Sequence, residues 1–169
     1  MTMHISVVQT PQRSIDKTVS IQIRRGSPRD RHVVCRLEMA CFGRARLLFG
    51  LWWLIGKPTT ELWVAEDCGN LIGYVILYAN ELDGKMLPYI GGVGVTLERR
   101  KAGIGAQLMT PILAQHAKLW LHVRASNVAA IRLYEKLDMS ELRRMPKFYS
   151  NGEDALILAT RAMQVESEK

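Results

Sequence analysis

The sequence predicts a single α/β domain in which helices cover a mixed β-sheet. Strand-like and helix-like segments alternate along the chain, and two early strands are joined by a turn of hairpin composition, Asp67-Cys68-Gly69-Asn70. Of the 169 residues, 48% are hydrophobic and 23% are charged, which suits one globular domain with one core. We expect this domain to span residues 20–163, between a flexible leader at 1–19 and a tail at 164–169.

The first three predicted elements are a strand and two helices. Residues 20–25 alternate apolar and polar side chains, as a half-buried strand does. The sequence Pro28-Arg29-Asp30 is typical of a helix start, and Gly43 ends the apolar periodicity that follows. A second helix is predicted over 45–55, because Gly56-Lys57-Pro58 stops it.

The central part of the chain is predicted to be mostly strands. The hairpin strands are expected over 62–66 and 71–78, and the next strand over 87–95. That strand contains three glycines, which weaken it unless it bulges or another group approaches its backbone closely. These glycines are Gly91, Gly92 and Gly94.

Two helices and three strands complete the predicted fold. A helix over 103–115 contains Pro111, which we expect to kink or shorten it. A short apolar strand is predicted over 120–123 and a helix over 127–137. The last strands are 140–145 and 155–159, separated by the loop 147–154.

The composition excludes several classes of function. The net charge of +7 favours acidic ligands such as CoA-like phosphates, RNA surfaces or acidic peptides, but no zinc-finger, RRM or KH motif supports direct nucleic-acid binding, and we expect no DNA binding. Three cysteines and four scattered histidines lack metal-ligand spacing, so no metal is expected. No signal peptide or membrane span is evident, which predicts a cytoplasmic protein.

The segment Arg100-Lys101-Ala102-Gly103-Ile104-Gly105-Ala106 is the most informative local feature. It joins a glycine-containing strand to a helix start, where unpaired backbone N–H groups and the helix dipole attract an anion. Leu108 replaces the third glycine of a dinucleotide-binding motif, and neither Gly-Lys pair of the chain, at 56–57 and at 84–85, is followed by Ser or Thr, which excludes a phosphate loop. From spacing alone, an anion site and an ordinary helix start with a basic cap both stay open.

Three motifs in order resemble the GNAT acetyltransferase superfamily. They are Arg100-x-x-Gly103-x-Gly105, the run from Leu121 to Asn127 followed by Ala130 and Tyr134, and the ending Pro146-Lys147-Phe148-Tyr149-Ser150-Asn151-Gly152-Glu153-Asp154-Ala155. The ending is similar to that of the N-alpha-acetyltransferases, which acetylate protein N-termini. The resemblance is strong over 87–160 and weaker over 20–86. It implies a mostly antiparallel sheet with two splayed parallel strands and helices on both faces.

The resemblance also implies acetyl-CoA as co-substrate. Backbone groups of Val93, Gly94 and Val95 would bind the pantetheine arm between the splayed strands, and the Val95 N–H would polarise the thioester carbonyl. Asn127 and Tyr134 match residues beside the cofactor, with Tyr134 as the acid for the leaving thiolate or, alternatively, a core residue. The diphosphate would lie at Arg100, Lys101, Ala102, Gly103, Ile104, Gly105 and Ala106.

Acetyl transfer to an amine needs a base, and Tyr89 and His122 are the candidates. The resemblance implies that the two act together through a water, from adjacent strands. The alternative is a packed tyrosine and a structural histidine. Phe148 and Tyr149 match a peptide-holding loop that usually has two tyrosines, and Phe42 could line a pocket for the first residue. A glutamate that relatives carry after the first helix is absent.

Other functions stay open at this point. The same fold could acetylate a lysine or a small amine, although the 147–155 loop favours a peptide N-terminus. The early arginines and the Trp52-Trp53 pair are also compatible with a CoA-binding or ribosome-associated module without turnover. We expect a monomer or a weak dimer, and ribosome association is left open. The stretch between Gly105 and Leu121 is several residues shorter than is usual in the family that the chain resembles. A shorter segment here could leave more of the splayed strands exposed than in other members.

Overall fold

The structure is a computed structural model that describes residues 21–43 and 48–167. Within these residues the chain forms seven strands and five α-helices. The strands are β1 (Gln22–Arg25), β2 (Thr60–Asp67), β3 (Asn70–Leu82), β4 (Lys85–Val95), β5 (Trp120–Arg124), β6 (Met139–Met145) and β7 (Ala155–Thr160). The helices are α1 (Arg31–Phe42), α2 (Leu48–Leu54), α3 (Ile104–Gln115), α4 (Val128–Glu135) and α5 (Arg161–Ser167).

All seven strands form one sheet in the order β1-β2-β3-β4-β5-β7-β6. Strands β1 to β4 are antiparallel neighbours, and β5, β7 and β6 form a second antiparallel group. The two groups meet at the parallel pair β4–β5, whose described register is the single partnership Tyr89–Trp120. This arrangement confirms the predicted mostly antiparallel sheet with one splayed parallel pair.

Two tight hairpins organise the first group of strands. Cys68 and Gly69 both have positive φ (49° and 78°), as a two-residue turn between right-handed twisted strands requires. The same conformation recurs at Asp83 and Gly84 (φ 50° and 77°), between β3 and β4. The first hairpin was predicted from the sequence. The predicted end of β3, at residue 78, is too early, because the Asp-Gly turn signal at Asp83-Gly84 was overlooked.

Helices cover both faces of the sheet. Helices α3 and α4 pack on one face, over a core that includes Val75, Leu108 and Leu121. Helices α1 and α2 pack on the other face, against β2 and β3. A third apolar cluster lies beside α5 and contains Tyr89, Trp120 and Met163, among others. The central strands, such as β3 and β7, are therefore buried on both faces, as the predicted α/β class implies.

Several predicted boundaries differ from the structure. The region predicted to be a tail from residue 164 is helical as far as Ser167. The helix begins at Arg161, and its residue Met163 packs into the third apolar cluster, which holds this end of the chain against the sheet. Helix α3 continues beyond Pro111 to Gln115, so the proline lies inside a helix of the predicted length. The leader 1–19 and the predicted start of α2 lie outside the described residues. No helix among the described residues is long and apolar enough to cross a membrane.

Candidate active site

The glycines of β4 allow aromatic rings of β3 to lie directly on its backbone. A Cβ at Gly94 would lie 2.5 Å from Cε1 of Tyr74, and a Cβ at Gly91 would lie 2.3 Å from Cε1 of Tyr78. The register of β3 and β4 also shifts at Ile76, which leaves Gly91 as the extra residue of a β-bulge. Both of the physical reasons expected for glycines in this strand are therefore present.

Tyr89–Trp120 is the single described partnership between β4 and β5, so the rest of this edge of β4 has no ladder pairing with β5, and we call this unpaired stretch the β4–β5 gap. The N–H of Thr96, just after β4, donates to the carbonyl of Ile72 in β3. Successive N–H groups of an extended strand point in opposite directions, so the N–H of Val95 points away from β3 and towards the gap. Val93 shares that direction, since it lies two residues earlier. The gap thus has main-chain hydrogen-bonding groups along one wall.

The basic turn follows β4 and leads into α3. Gly103 is the N-cap of α3 in a left-handed conformation (φ 76°), which is unfavourable for residues with a side chain. No side chain caps this helix, so its first N–H groups are available to an anion. Gly105 faces α4, where an added Cβ would lie 3.0 Å from Cδ2 of Leu133. The two glycines thus serve different needs, a turn conformation and a close helix approach.

Arg100 and Lys101 lie in the same turn as Gly103. Both side chains are exposed, and Lys101 has a positive φ of 65°. The guanidinium Nε of Arg100 donates to the carbonyl of Val95 at 3.2 Å. The turn therefore holds positive charge directly at the end of the β4–β5 gap. Ala102, Ile104 and Ala106 complete it, with Ile104 buried in the core under α3.

Tyr89 and His122 are in direct contact across the parallel pair. The Tyr89 hydroxyl lies 3.3 Å from Nδ1 of His122, and the two rings meet edge to face. The sequence analysis expected a water between them, and the structure brings them close enough for a hydrogen bond. Leu121 and Val123 point to the opposite face, into the core under α3, as the alternation of β5 predicts.

Burial is the main cause that lowers the pKa of His122, and the positive charge of Arg143 lowers it further. The imidazole is therefore neutral at pH 7 and able to accept a proton.

The loop between β6 and β7 covers the imidazole. The Phe148 ring stacks on His122 with centroids 4.6 Å apart and planes within 14°. Tyr149 meets Phe148 edge to face, and the Arg124 guanidinium lies 3.8 Å from the Tyr149 ring centroid. A continuous aromatic surface therefore extends from Tyr89 through His122 to the loop, with Phe148 partly exposed to solvent.

Residues 31–139 match the protein family described as "Acetyltransferase (GNAT) family". The chain belongs to the GNAT acetyltransferase family. It is 29% identical to an uncharacterized N-acetyltransferase of Methanocaldococcus jannaschii, over 80% of this chain and 88% of that protein. It is 36% identical to the N-terminal acetyltransferase A complex catalytic subunit NAA10 of Arabidopsis thaliana, over 56% of this chain and 53% of that protein.

Solved structures share the fold of this GNAT domain. The ribosomal-protein-S18-alanine N-acetyltransferase of Escherichia coli has a TM-score of 0.72 at 24% identity, covering 83% of this chain and 92% of that one. NAA60 of Arabidopsis thaliana in complex with acetyl-CoA has a TM-score of 0.71 at 22% identity, covering 83% and 98%. The predicted GNAT fold is confirmed by these matches.

The remaining predicted site residues of this GNAT domain lie on two elements, α4 with its N-cap and α1. Tyr134 lies in α4 and is buried in the core under α3. This position is compatible with the alternative prediction that Tyr134 is a core residue. Asn127 caps α4, since its side-chain oxygen accepts from the Ala130 N–H at 3.2 Å. Phe42 ends α1 and is exposed. The structure thus joins Tyr89, His122, Phe148 and Tyr149 directly, and holds the other residues on neighbouring elements.

The sequence analysis missed several residues that shape this region. Trp120 is buried between Tyr89 and His122, and its indole N–H has no hydrogen-bond partner among the described residues. Glu38 is buried in α1, with Oε2 3.8 Å from the position of a Cβ on Gly92. Glu153 was quoted within a motif without a role. Trp120 could have been found, since it lies two residues before His122 on the same strand face. Glu38 carried no local signal.

Proposed function

We propose that this GNAT domain transfers an acetyl group from acetyl-CoA to the N-terminal α-amino group of proteins or peptides. The observation that carries the proposal is the stack of Phe148 on His122. It brings the candidate base directly under the loop whose sequence resembles the peptide-holding loop of N-alpha-acetyltransferases. Relatives named for N-alpha-acetylation, among them a protein of Sulfurisphaera tokodaii 30% identical over 57% of this chain, support the substrate class.

The residues present suit acetyl-CoA, which supplies the acetyl group as a thioester. The main-chain groups of Val93, Gly94 and Val95 along the gap would hold the pantetheine arm. The N–H groups from Lys101 to Ala106, together with the charges of Arg100 and Lys101, would hold the diphosphate. The outward Val95 N–H would stabilise negative charge on the carbonyl oxygen. The absence of a Cβ at Gly94 lets the Tyr74 ring lie on this part of β4.

Proton transfer is assigned to three side chains. An unperturbed α-amino group has a pKa of about 7.7–8.0, so a weak base at neutral pH is sufficient to remove its proton. Neutral His122 would accept that proton, and Tyr89 would orient the imidazole through their contact. Tyr134 would protonate the leaving thiolate. Phe42, Tyr89, Phe148 and Tyr149 would contact the first residues of the peptide.

The test is an acetylation assay with paired peptides that share one sequence with an internal lysine. One peptide has a free N-terminus and the other is blocked there, and mass spectrometry locates the added acetyl group. We expect acetylation of the free α-amino group alone. Transfer to the lysine of the blocked peptide would replace the proposal with a lysine acetyltransferase. Acetyl-CoA binding without transfer to any peptide would identify a non-catalytic CoA-binding module.

A further inference from the structure

We infer that Glu153 is the positioning residue of the peptide-facing loop, because it anchors the loop between β6 and β7 to the turn that follows β5. The expected kinetic effects rest on the proposed function. The claim that Glu153 fixes the loop rests on the hydrogen bonds of the loop alone. Glu153 touches none of the reacting groups. It acts through Phe148 and Tyr149, whose places beside His122 depend on the conformation of the loop.

The Glu153 carboxylate bridges the loop to the β5–α4 turn. Its Oε2 accepts a hydrogen bond from Nη1 of Arg124 at 2.7 Å. Its Oε1 accepts from the Ser126 N–H at 3.1 Å and from the Ser126 hydroxyl. Every partner is a donor, so the arrangement requires an ionised carboxylate. In agreement with this, the hydrogen bonds from Ser126 and Arg124 lower the pKa of Glu153 to about 2.

The backbone of Glu153 holds the loop itself. Its carbonyl accepts from the Tyr149 N–H at 3.0 Å, and its N–H donates to Oδ1 of Asn151 at 3.3 Å. The Gly152 N–H donates to the Tyr149 carbonyl at 2.8 Å, in a turn where Gly152 has a φ of 81°. The two aromatic residues are thus connected to Glu153 by a short hydrogen-bonded turn.

Arg124 links the same network to the aromatic surface. One of its Nη atoms binds Glu153, and its guanidinium lies over the Tyr149 ring. The neighbouring Asp154 has a different task, since it accepts from the Lys147 N–H and its carbonyl accepts from the Ala125 N–H, which closes the base of the loop. Glu153 is therefore the acid of this pair whose side chain fixes the loop to the β5–α4 turn.

The test compares Glu153→Gln with the matched control Glu141→Gln, an exposed glutamate of β6 that changes the net charge equally. The glutamine amide places an N–H₂ donor against the donors of Arg124 and Ser126, so the hydrogen bonds between the loop and the β5–α4 turn are lost. We expect the peptide KM of Glu153→Gln to rise about tenfold, with a smaller change in kcat, because a mobile loop orders only on binding. The KM for acetyl-CoA should change little. Ser126→Ala, which removes one donor, should shift the peptide KM in the same direction.

A double-mutant cycle separates positioning from general damage. In a Phe148→Ala, Tyr149→Ala background, Glu153→Gln should have little further effect on the peptide KM, because the side chains through which it acts are gone. A wild-type peptide KM in both Glu153→Gln and Ser126→Ala would overturn the inference, as would full additivity in the cycle.

A measurement independent of activity keeps the two proposals distinguishable. Hydrogen exchange at the Tyr149 and Gly152 amides should be faster in Glu153→Gln than in Glu141→Gln or the unaltered chain. If the unaltered chain acetylates no peptide, the proposed function fails while the exchange result still tests the loop. Equal exchange in all three proteins would overturn the positioning role.

Discussion

At the scale of single residues, the candidate site holds one imidazole whose pKa is lowered, that of His122. His122 is half-buried between Tyr89, Trp120 and Phe148, and burial disfavours its charged form. Positive charge from Arg143 on β6 acts in the same direction. A neutral imidazole beside a tyrosine hydroxyl is suited to accept a proton from an ammonium group, whereas an imidazolium is not.

The pH dependence of kcat/KM, which reports the pKa values of the free enzyme, tests this assignment. Because the pKa of His122 is lowered, the acid limb of the profile should have its midpoint below 6.5, the ordinary value for histidine. His122→Ala should lower kcat about 10²–10⁴-fold and remove the limb. Tyr89→Phe keeps the ring contacts, so it should lower kcat less than His122→Ala does and should retain the acid limb of the pH profile.

The exposed His32 of α1 supplies a control for that experiment. His32→Ala should retain both the rate and the acid limb. An unchanged limb in His122→Ala would assign it to another group, and wild-type turnover in both His122→Ala and Tyr89→Phe would refute the base assignment.

At the scale of elements, β4 has a side-chain-free stretch on the face that packs against Tyr74 and Tyr78. The bulge at Gly91 and the close contact at Gly94 place aromatic rings on the strand backbone. Interior glycines lower the stability of a strand, and the ring contacts of Tyr74 and Tyr78 offset part of that loss. The same stretch supplies the wall of the gap beside β5.

Two neighbouring substitutions separate these effects. A Cβ at Gly94 would meet the buried Tyr74 ring at 2.5 Å, while a Cβ at Gly92 meets its nearest atom, the Tyr74 hydroxyl, at 3.5 Å. We expect Gly94→Ala to lower the free energy of unfolding by about 1–3 kcal/mol, since Tyr74 has no room to move. Gly92→Ala should change it by less than about 0.5 kcal/mol. Urea unfolding measures both, and equal losses would contradict the packing described.

At the scale of the whole molecule, an ion pair joins β1 to the start of α1. Asp30 ends the helical turn before α1, and its carboxylate accepts two hydrogen bonds from Arg24 of β1. The Ser27 N–H donates to the same carboxylate. The bond to Arg24 is the main cause that lowers the pKa of Asp30. This network connects the first strand to the first helix.

The same groups determine how stability depends on pH. Asp30, Glu153 and His122 all have lowered pKa values in the folded chain, so the unfolded chain binds more protons as the pH falls. The melting temperature should therefore fall by several degrees between pH 7.5 and 3.5. His122 contributes below about pH 6.5, and the two carboxylates contribute below about pH 5.

Two variants assign these contributions. His122→Ala should reduce the loss of melting temperature between pH 7.5 and 5.5. Asp30→Asn should lower the melting temperature at pH 7.5 and reduce the further loss between pH 5 and 3.5. A melting temperature that rises on acidification in the unaltered chain would contradict the sign of all three pKa shifts.

The sequence by itself determined the features that depend on local patterns. Alternation and periodicity predicted the strand and helix order, and Gly103 and Gly105 marked a helix start, because turns and helix ends are decided by neighbouring residues. The second hairpin at Asp83-Gly84 was within reach of the same reasoning. Helix α5 was not, because its first turn is held by contacts of Met163 with distant strands.

The tertiary structure decided everything that joins distant residues. The direct contact of Tyr89 with His122 spans 33 positions of the chain and depends on the one partnership between β4 and β5. The burial of Glu38 and the bridge from Glu153 to Ser126 likewise depend on which elements pack together. Local sequence constrains backbone conformation, whereas the distances between the candidate base, the β6–β7 loop and the β4–β5 gap are fixed only when the sheet brings its strands together.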